Sequence, residues 1–205
     1  MKVLISHAHI LRADGSVQEG SIAIEGSKIA AIGDIPASWQ PERTIDAKDK
    51  FAVPGFVNAH THASMTLLRS YADDMKLMDW LQQKIWPIEA KMKNEDVYWG
   101  AMLAAVEMIQ SGTTTFADMY GPDMEKVAEV VEKSGLRAVL SRGLIGVAPD
   151  AAEKLEENVT LFKNWHEKAD GRITVMFGPH ALYTCPPDYL RKVAETAKEL
   201  GADVR

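Results

Sequence analysis

The stretch FAVPGFVNAHTHA (51–63) decides how the rest of the chain is read. FAVPGFVNAH is almost continuously apolar, as a strand must be when helices cover both faces of its sheet. The run closes on His60 and His62, and residues two apart on a strand face the same way. Two imidazoles on one face are the beginning of a metal site, since zinc takes neutral imidazoles and needs three or four protein ligands. Spacing alone does not make such a site. ISHAHI (5–10) repeats the spacing at His7 and His9, in a meander with no acid or cysteine nearby in the sequence. That pair is read as one partly solvated face of a sheet. Context has to separate the two.

Upstream, residues 1–50 hold short alternating runs, KVLISHAHIL, SVQEGSIAIEG and KIAAIG, broken at Asp14-Gly15, Glu25-Gly26 and Gly33-Asp34. β-branched runs with such turns predict a small antiparallel sheet, followed by a loop from Pro36 to Pro41. Downstream, helical patterns at about 74–92 and 94–111 lead into a repeating unit. TTTFADM (113–119) precedes a helix at 122–134, and LRAVLSRGL (136–144) precedes one at about 150–167. RITVMFGPHAL (172–182) precedes one at 187–200, opened by Pro186-Pro187-Asp188. Strand and helix alternating in this way form a βα series. A closed βα barrel takes eight strands and about 250 residues. Four units, with GADVR (201–205) as the entry to a fifth strand, make the first half of a TIM-type barrel, stopping before the fifth strand. The expected division is a β segment at 1–50 and the α/β half-barrel at 51–205.

In βα barrels the working groups stand at the C-terminal ends of the strands. Here those positions hold His60 and His62, then Asp118, then Arg142, then His180. An ionisable group at the end of every strand predicts side chains converging on one mouth, which packing alone does not require. His166 in NWHEK falls on a polar helix face and is read as solvated.

Composition narrows the partners. The net charge of −6 and the lack of any Lys/Arg cluster argue against nucleic acid. The single Cys185 allows no internal disulfide and fits a reducing compartment. No apolar stretch of roughly 18 residues spans a membrane, and MKVLISHAHILRADG lacks the apolar core of a signal peptide. A cytoplasmic location is expected. The oligomeric state stays open, a homo-oligomer included.

VPGFVNAHTH, preceded by a β-rich segment ending in IDAKDKF, resembles the amidohydrolase superfamily of metal-dependent hydrolases. HASMTLLRSYADDMKLMDWLQQKIWPIEAKM, GTTTFADMY, SRGLIG and FGPHALYTCP are similar to the 5-methylthioadenosine/S-adenosylhomocysteine deaminases. The resemblance implies a TIM-type barrel and a small β-sandwich built partly from the N-terminal segment. It makes His60 and His62 metal ligands, Glu89 the acid that grips the ribose hydroxyls, Arg142 a substrate contact facing the homocysteine carboxylate, and His180 a nucleoside contact. It also implies a third histidine with a general acid/base glutamate from the fifth strand and an aspartate ligand from the eighth. All of these fall beyond Arg205, so no proton-shuttling residue is expected within the chain. Dinuclear members carry a carboxylated lysine on the fourth strand. ITVMFGPHALYT has His180 and no lysine, which favours a single ion, with zinc expected and iron or manganese also able to bind. The implied partner is a small nucleoside. The alternatives are another amidohydrolase, such as a chlorotriazine hydrolase or a guanine or cytosine deaminase, or an inert fragment lacking the remaining ligands.

Overall fold

The computed structural model describes residues 1–205, which divide into two compact units, Met1–Gly55 and Phe56–Arg205. The first is one five-stranded sheet built on β1 (Lys2–Leu11). β2 (Val17–Glu25) pairs antiparallel with β1, and β3 (Lys28–Gly33) pairs antiparallel with β2. On the other edge, β4 (Arg43–Asp46) and β5 (Phe51–Ala52) lie parallel to β1 one after the other. The sheet is therefore mixed rather than antiparallel. The long Pro36–Pro41 loop makes the difference, because a connection of that length can return the chain to run alongside β1, which a tight hairpin cannot. Its core is small: Ala8, Ile10, Ile22 and Ala47, flanked by Ile5, Ile24 and Ala52.

The same pairing corrects the expectation that His7 and His9 have no acid near them. His7 Nδ1 lies 3.0 Å from Asp46 Oδ1 on β4, and His9 Nδ1 lies 3.7 Å from Glu19 Oε1 on β2. A bulge between Ile5 and Ala8, with His7 at φ +59°, distorts the strand here. Each histidine has its own carboxylate: Glu19 is the cross-strand neighbour of His9 in the β1–β2 hairpin, and Asp46 reaches His7 from β4, far along the chain.

The second unit carries the parallel sheet. β6 (Phe56–Thr61), β7 (Thr113–Tyr120) and β8 (Arg137–Leu144) lie side by side, all parallel, in chain order. The predicted fourth strand is split into β9 (Ile173–Val175) and β10 (Gly178–Pro179), both parallel to β8. Pro179 has no N–H to donate to the ladder. At Gly178 a Cβ would collide with Ser141 Oγ and come within 3.0 Å of Met119 Sδ. Close packing against β7 and β8 thus demands a glycine where a regular strand would carry a side chain. One further parallel bridge, Phe177 with Val204, brings the GADVR segment beside this strand.

Helices fill the connections as the apolar periodicity predicts: α3 (Asn94–Gln110), α4 (Met124–Ser134), α5 (Ala151–Trp165) and α7 (Pro187–Leu200). The helix expected at 74–92 runs without a gap from Leu77 to Glu89, as α1 (Leu77–Trp80), a π-helical turn (Leu81–Ile85) and α2 (Trp86–Glu89). Pro87 accounts for the π-helical turn. It has no N–H, its ring clashes with the preceding turn, and the Trp86 N–H reaches back to Leu81 O instead. Lys168–Gly171 (α6) is an irregular turn with Ala169 and Asp170 in the left-handed region. His166 is not merely solvated, because its ring stacks on Phe162 at 4.4 Å and its Nδ1 accepts the Val175 N–H.

Two apolar clusters hold this unit. The larger joins Val97, Ala101 and Ala105 of α3 and Val127 and Val131 of α4 to Phe116, Leu140, Ile173 and Val175 of the strands. The smaller joins Leu144, Leu155, Phe177 and Val193. No helix is long and apolar enough to cross a membrane.

Candidate functional site

β6 ends in Thr61, and the chain turns at once after His62 into a short 3-10 helix, Ala63–Leu68. The residues after the histidines clamp this turn from several sides. Thr61 Oγ1 donates to Ala117 O (3.1 Å) and the Ala63 N–H donates to Asp118 Oδ1 (3.2 Å). Ser64 Oγ donates to Val97 O (3.1 Å) and Thr66 Oγ1 to Gly100 O (2.6 Å), both carbonyls of α3. Any Cβ at position 100 would strike the Ser64 carbonyl, so glycine is required for the approach. The two histidines therefore stand on a turn fixed by neighbours rather than on a free loop.

The His60 and His62 ring centroids are 5.1 Å apart and meet edge to face. Burial lowers the His62 pKa, and the neighbouring His60 and His180 lower it further against a backbone hydrogen bond at Met119 and the charge of Glu89. Neutral imidazole is the ligand form. The donor type therefore fits zinc, while the number falls short. No group of three or more His, Cys, Asp or Glu side chains in the chain is arranged to hold a metal ion.

Glu89 ends α2, and Tyr120 Oη donates to its Oε1 at 2.5 Å. The Tyr120 ring lies 5.3 Å from that of His62. His180 follows β10, tied by its N–H to Leu144 O (2.9 Å). Its Nδ1 is 3.0 Å from Thr184 Oγ1, whose single proton goes to Ala181 O (3.1 Å). The proton between them is therefore on His180 Nδ1, which leaves Nε2 as an acceptor.

Asp118 and Arg142 do not join this group. Phe116, Asp118 and Tyr120 are the buried alternate positions of β7, and Asp118 is fully buried beneath the histidine turn. Burial pushes its carboxyl up to about 7, and its Oδ2 has no partner. Arg142 shares the parity of Ala138 and Leu140, which pack against the helices. Its Nε donates to Glu157 Oε2 on α5 (2.6 Å) and its Nη1 to Tyr120 O (3.1 Å). The cleft beside it, about 470 Å³, is lined by Asp123, Glu125, Glu153, Glu156 and Glu157. His60, His62 and His180 of the expected mouth are thus joined by Glu89, while Asp118 lies beneath the histidine turn and Arg142 is held by Glu157.

Sequence reasoning missed Tyr120 and Glu157. Tyr120 shares the face of Asp118, so parity gave no signal for it; it reaches Glu89 and His62 from the last position of β7. Glu157 had no signal either, since it is one of many acids on α5.

The model of the "Amidohydrolase family" matches residues 51–205. A protein of Pelotomaculum thermopropionicum called 5-methylthioadenosine/S-adenosylhomocysteine deaminase is 54% identical over 98% of this chain and 48% of its own length. One of the same name from Desulforamulus reducens is 53% identical over 99% of this chain and 48% of its own. The chain thus spans about half the length of the curated relatives it matches. Among solved structures, an adenosine deaminase from Xanthomonas campestris with bound zinc superposes with a TM-score of 0.86 at 34% identity. That match covers 98% of this chain and 48% of the other. A triazine hydrolase superposes with a TM-score of 0.85 at 20% identity over 99% of this chain and 52% of its own, a likeness of fold alone. With its own strand-end histidines inside the matched region, the chain belongs to the amidohydrolase family.

Proposed function

We propose that residues 1–205 carry half of the active site of a mononuclear metal-dependent deaminase. Its reaction adds water across C6 of the adenine ring of S-adenosylhomocysteine or 5-methylthioadenosine, breaks the bond from C6 to the exocyclic nitrogen, and yields the inosine analogue and ammonia. The observation that carries this reading is the grouping of His60 and His62 beside Glu89 and within electrostatic reach of His180. The 54% identical relative supports the choice of substrate.

The parallel sheet is proposed as the first half of a TIM-type barrel. In its favour, β6 lies at an open edge with Phe56 and Val57 exposed, and α3 exposes Trp99, Val106 and Ile109. Apolar edges of this kind are ordinarily covered. The N-terminal sheet is proposed as part of a β-sandwich.

Within the site, His60 and His62 would hold the ion, with further ligands from outside these residues. A bound zinc ion supplies a water whose pKa falls to about 7. Glu89 accepts hydrogen bonds from the ribose hydroxyls, and His180 Nε2 accepts one from the nucleoside. Arg142 faces the substrate carboxylate only if Glu157 yields it, because both donors described above are already committed. The general acid/base glutamate is assigned outside residues 1–205.

Assays of the protein at its natural length test this. Ammonia release from S-adenosylhomocysteine and 5-methylthioadenosine, with none from guanine or a chlorotriazine, is the expected result. Activity confined to guanine or a triazine overturns the substrate assignment.

A further inference from the structure

Glu89 sits at the end of an excursion that the rest of the chain holds loosely. Between Leu77 and Glu89 only Ile85 is buried, while Leu77, Met78 and Trp86 are exposed. Pro87 puts a π-helical turn just before it, and the helix ends at Glu89. The one side-chain hydrogen bond from this segment to another part of the chain runs from Tyr120 Oη to Glu89 Oε1, at 2.5 Å. Tyr120 itself is well placed to be an anchor. It ends β7, is 8% exposed, and touches the His62 ring, while its carbonyl accepts from Arg142 Nη1.

We propose that Tyr120 is the positioning residue for sugar recognition, its hydroxyl fixing the Glu89 carboxylate so that Oε2 is left for the ribose hydroxyls of the substrate. This rests on the deaminase reading above. A phenol donating to a carboxylate makes a short, charge-assisted bond, and an ionised carboxylate accepts at about four sites. Tyr120 occupies one of them and leaves the others for a diol. The same ring lies against His62, so the sugar-holding and metal-holding ends of the site share one support.

The test is steady-state kinetics of the natural-length enzyme and its Tyr120→Phe variant on adenosine and on 2′,3′-dideoxyadenosine. Loss of a hydrogen bond that aims a charged group raises KM for adenosine by about tenfold. kcat should stay within about twofold, and KM for the dideoxy substrate should not move. In a Glu89→Ala background, Tyr120→Phe should add nothing, because the group it positions is gone. Equal losses on both nucleosides, a fall in kcat on both, or an unchanged KM for adenosine overturns the inference while leaving the deaminase reading intact. A parent enzyme active on no adenine nucleoside overturns both.

Discussion

Asp118→Asn separates the cost of a buried charge from everything else beneath the histidine turn. The substitution keeps the side chain's size and removes its ionisation. Asp118 is 0% exposed, accepts the Ala63 N–H at 3.2 Å through Oδ1, and leaves Oδ2 without a partner. Burial pushes its carboxyl from 3.8 up to about 7, with the Ala63 N–H and the Arg205 charge acting the other way. The folded value lies above the unfolded one. Between about pH 4 and 7 the native state therefore keeps a proton that the unfolded chain has released. Stability consequently falls as pH rises through that window, by about 1.4 kcal/mol per unit, and levels off above it. From pH 5 to pH 8 the parent loses about 3 kcal/mol by this route, and the asparagine variant loses none of it. Urea denaturation of metal-stripped parent and variant at both pH values measures the difference. The variant should gain on the parent by roughly that amount between pH 5 and pH 8. A difference that is the same at both pH values refutes burial of a charge at Asp118.

Glu157→Gln should free Arg142, lowering KM for S-adenosylhomocysteine about threefold or more while leaving 5-methylthioadenosine unchanged, since only the former has a carboxylate for the guanidinium. A higher KM for S-adenosylhomocysteine would show that Glu157 orients the arginine rather than competing for it. Arg172 Nη1 donates to Val131 O and Leu136 O, and its Nη2 to Glu132 O, so Arg172→Met should cost about 2 kcal/mol in chemical denaturation by stranding carbonyls at the end of α4. Gly178→Ala should destabilise by about 1–3 kcal/mol, because its Cβ meets Ser141 and Met119 in a packed sheet, and an undiminished urea midpoint would contradict that packing.

Much of the fold is legible in the sequence because apolar periodicity is a local signal. α3, α4, α5 and α7 and the strands β7 and β8 fall where their patterns put them. The departures have non-local or stereochemical causes. β4 and β5 join β1 in parallel through a register that no local pattern encodes. Pro87 puts a π-helical turn into a helix whose apolar spacing gives no sign of it, and Pro179 with Gly178 interrupts the fourth strand. At the site, the histidine pair and His180 stand at strand ends as expected, and Glu89, which only the family resemblance pointed to, lies with them. Arg142 and Asp118 show the limit of that logic, because each lies two residues before the end of its strand, and a place near the end does not fix which face a side chain takes. Strand parity was readable in both cases. It depends, however, on knowing which alternate residues face the helices, and only packing reveals that.

The central claim is that water replaces the exocyclic nitrogen at C6. Incubation of the natural-length protein with S-adenosylhomocysteine in oxygen-18 water, followed by mass spectrometry of the product, tests this most directly. The account predicts an inosine analogue carrying one labelled oxygen on its purine ring, one ammonia per turnover, and neither from His60→Ala. Release of free adenine, or a product without label in the ring, would contradict it.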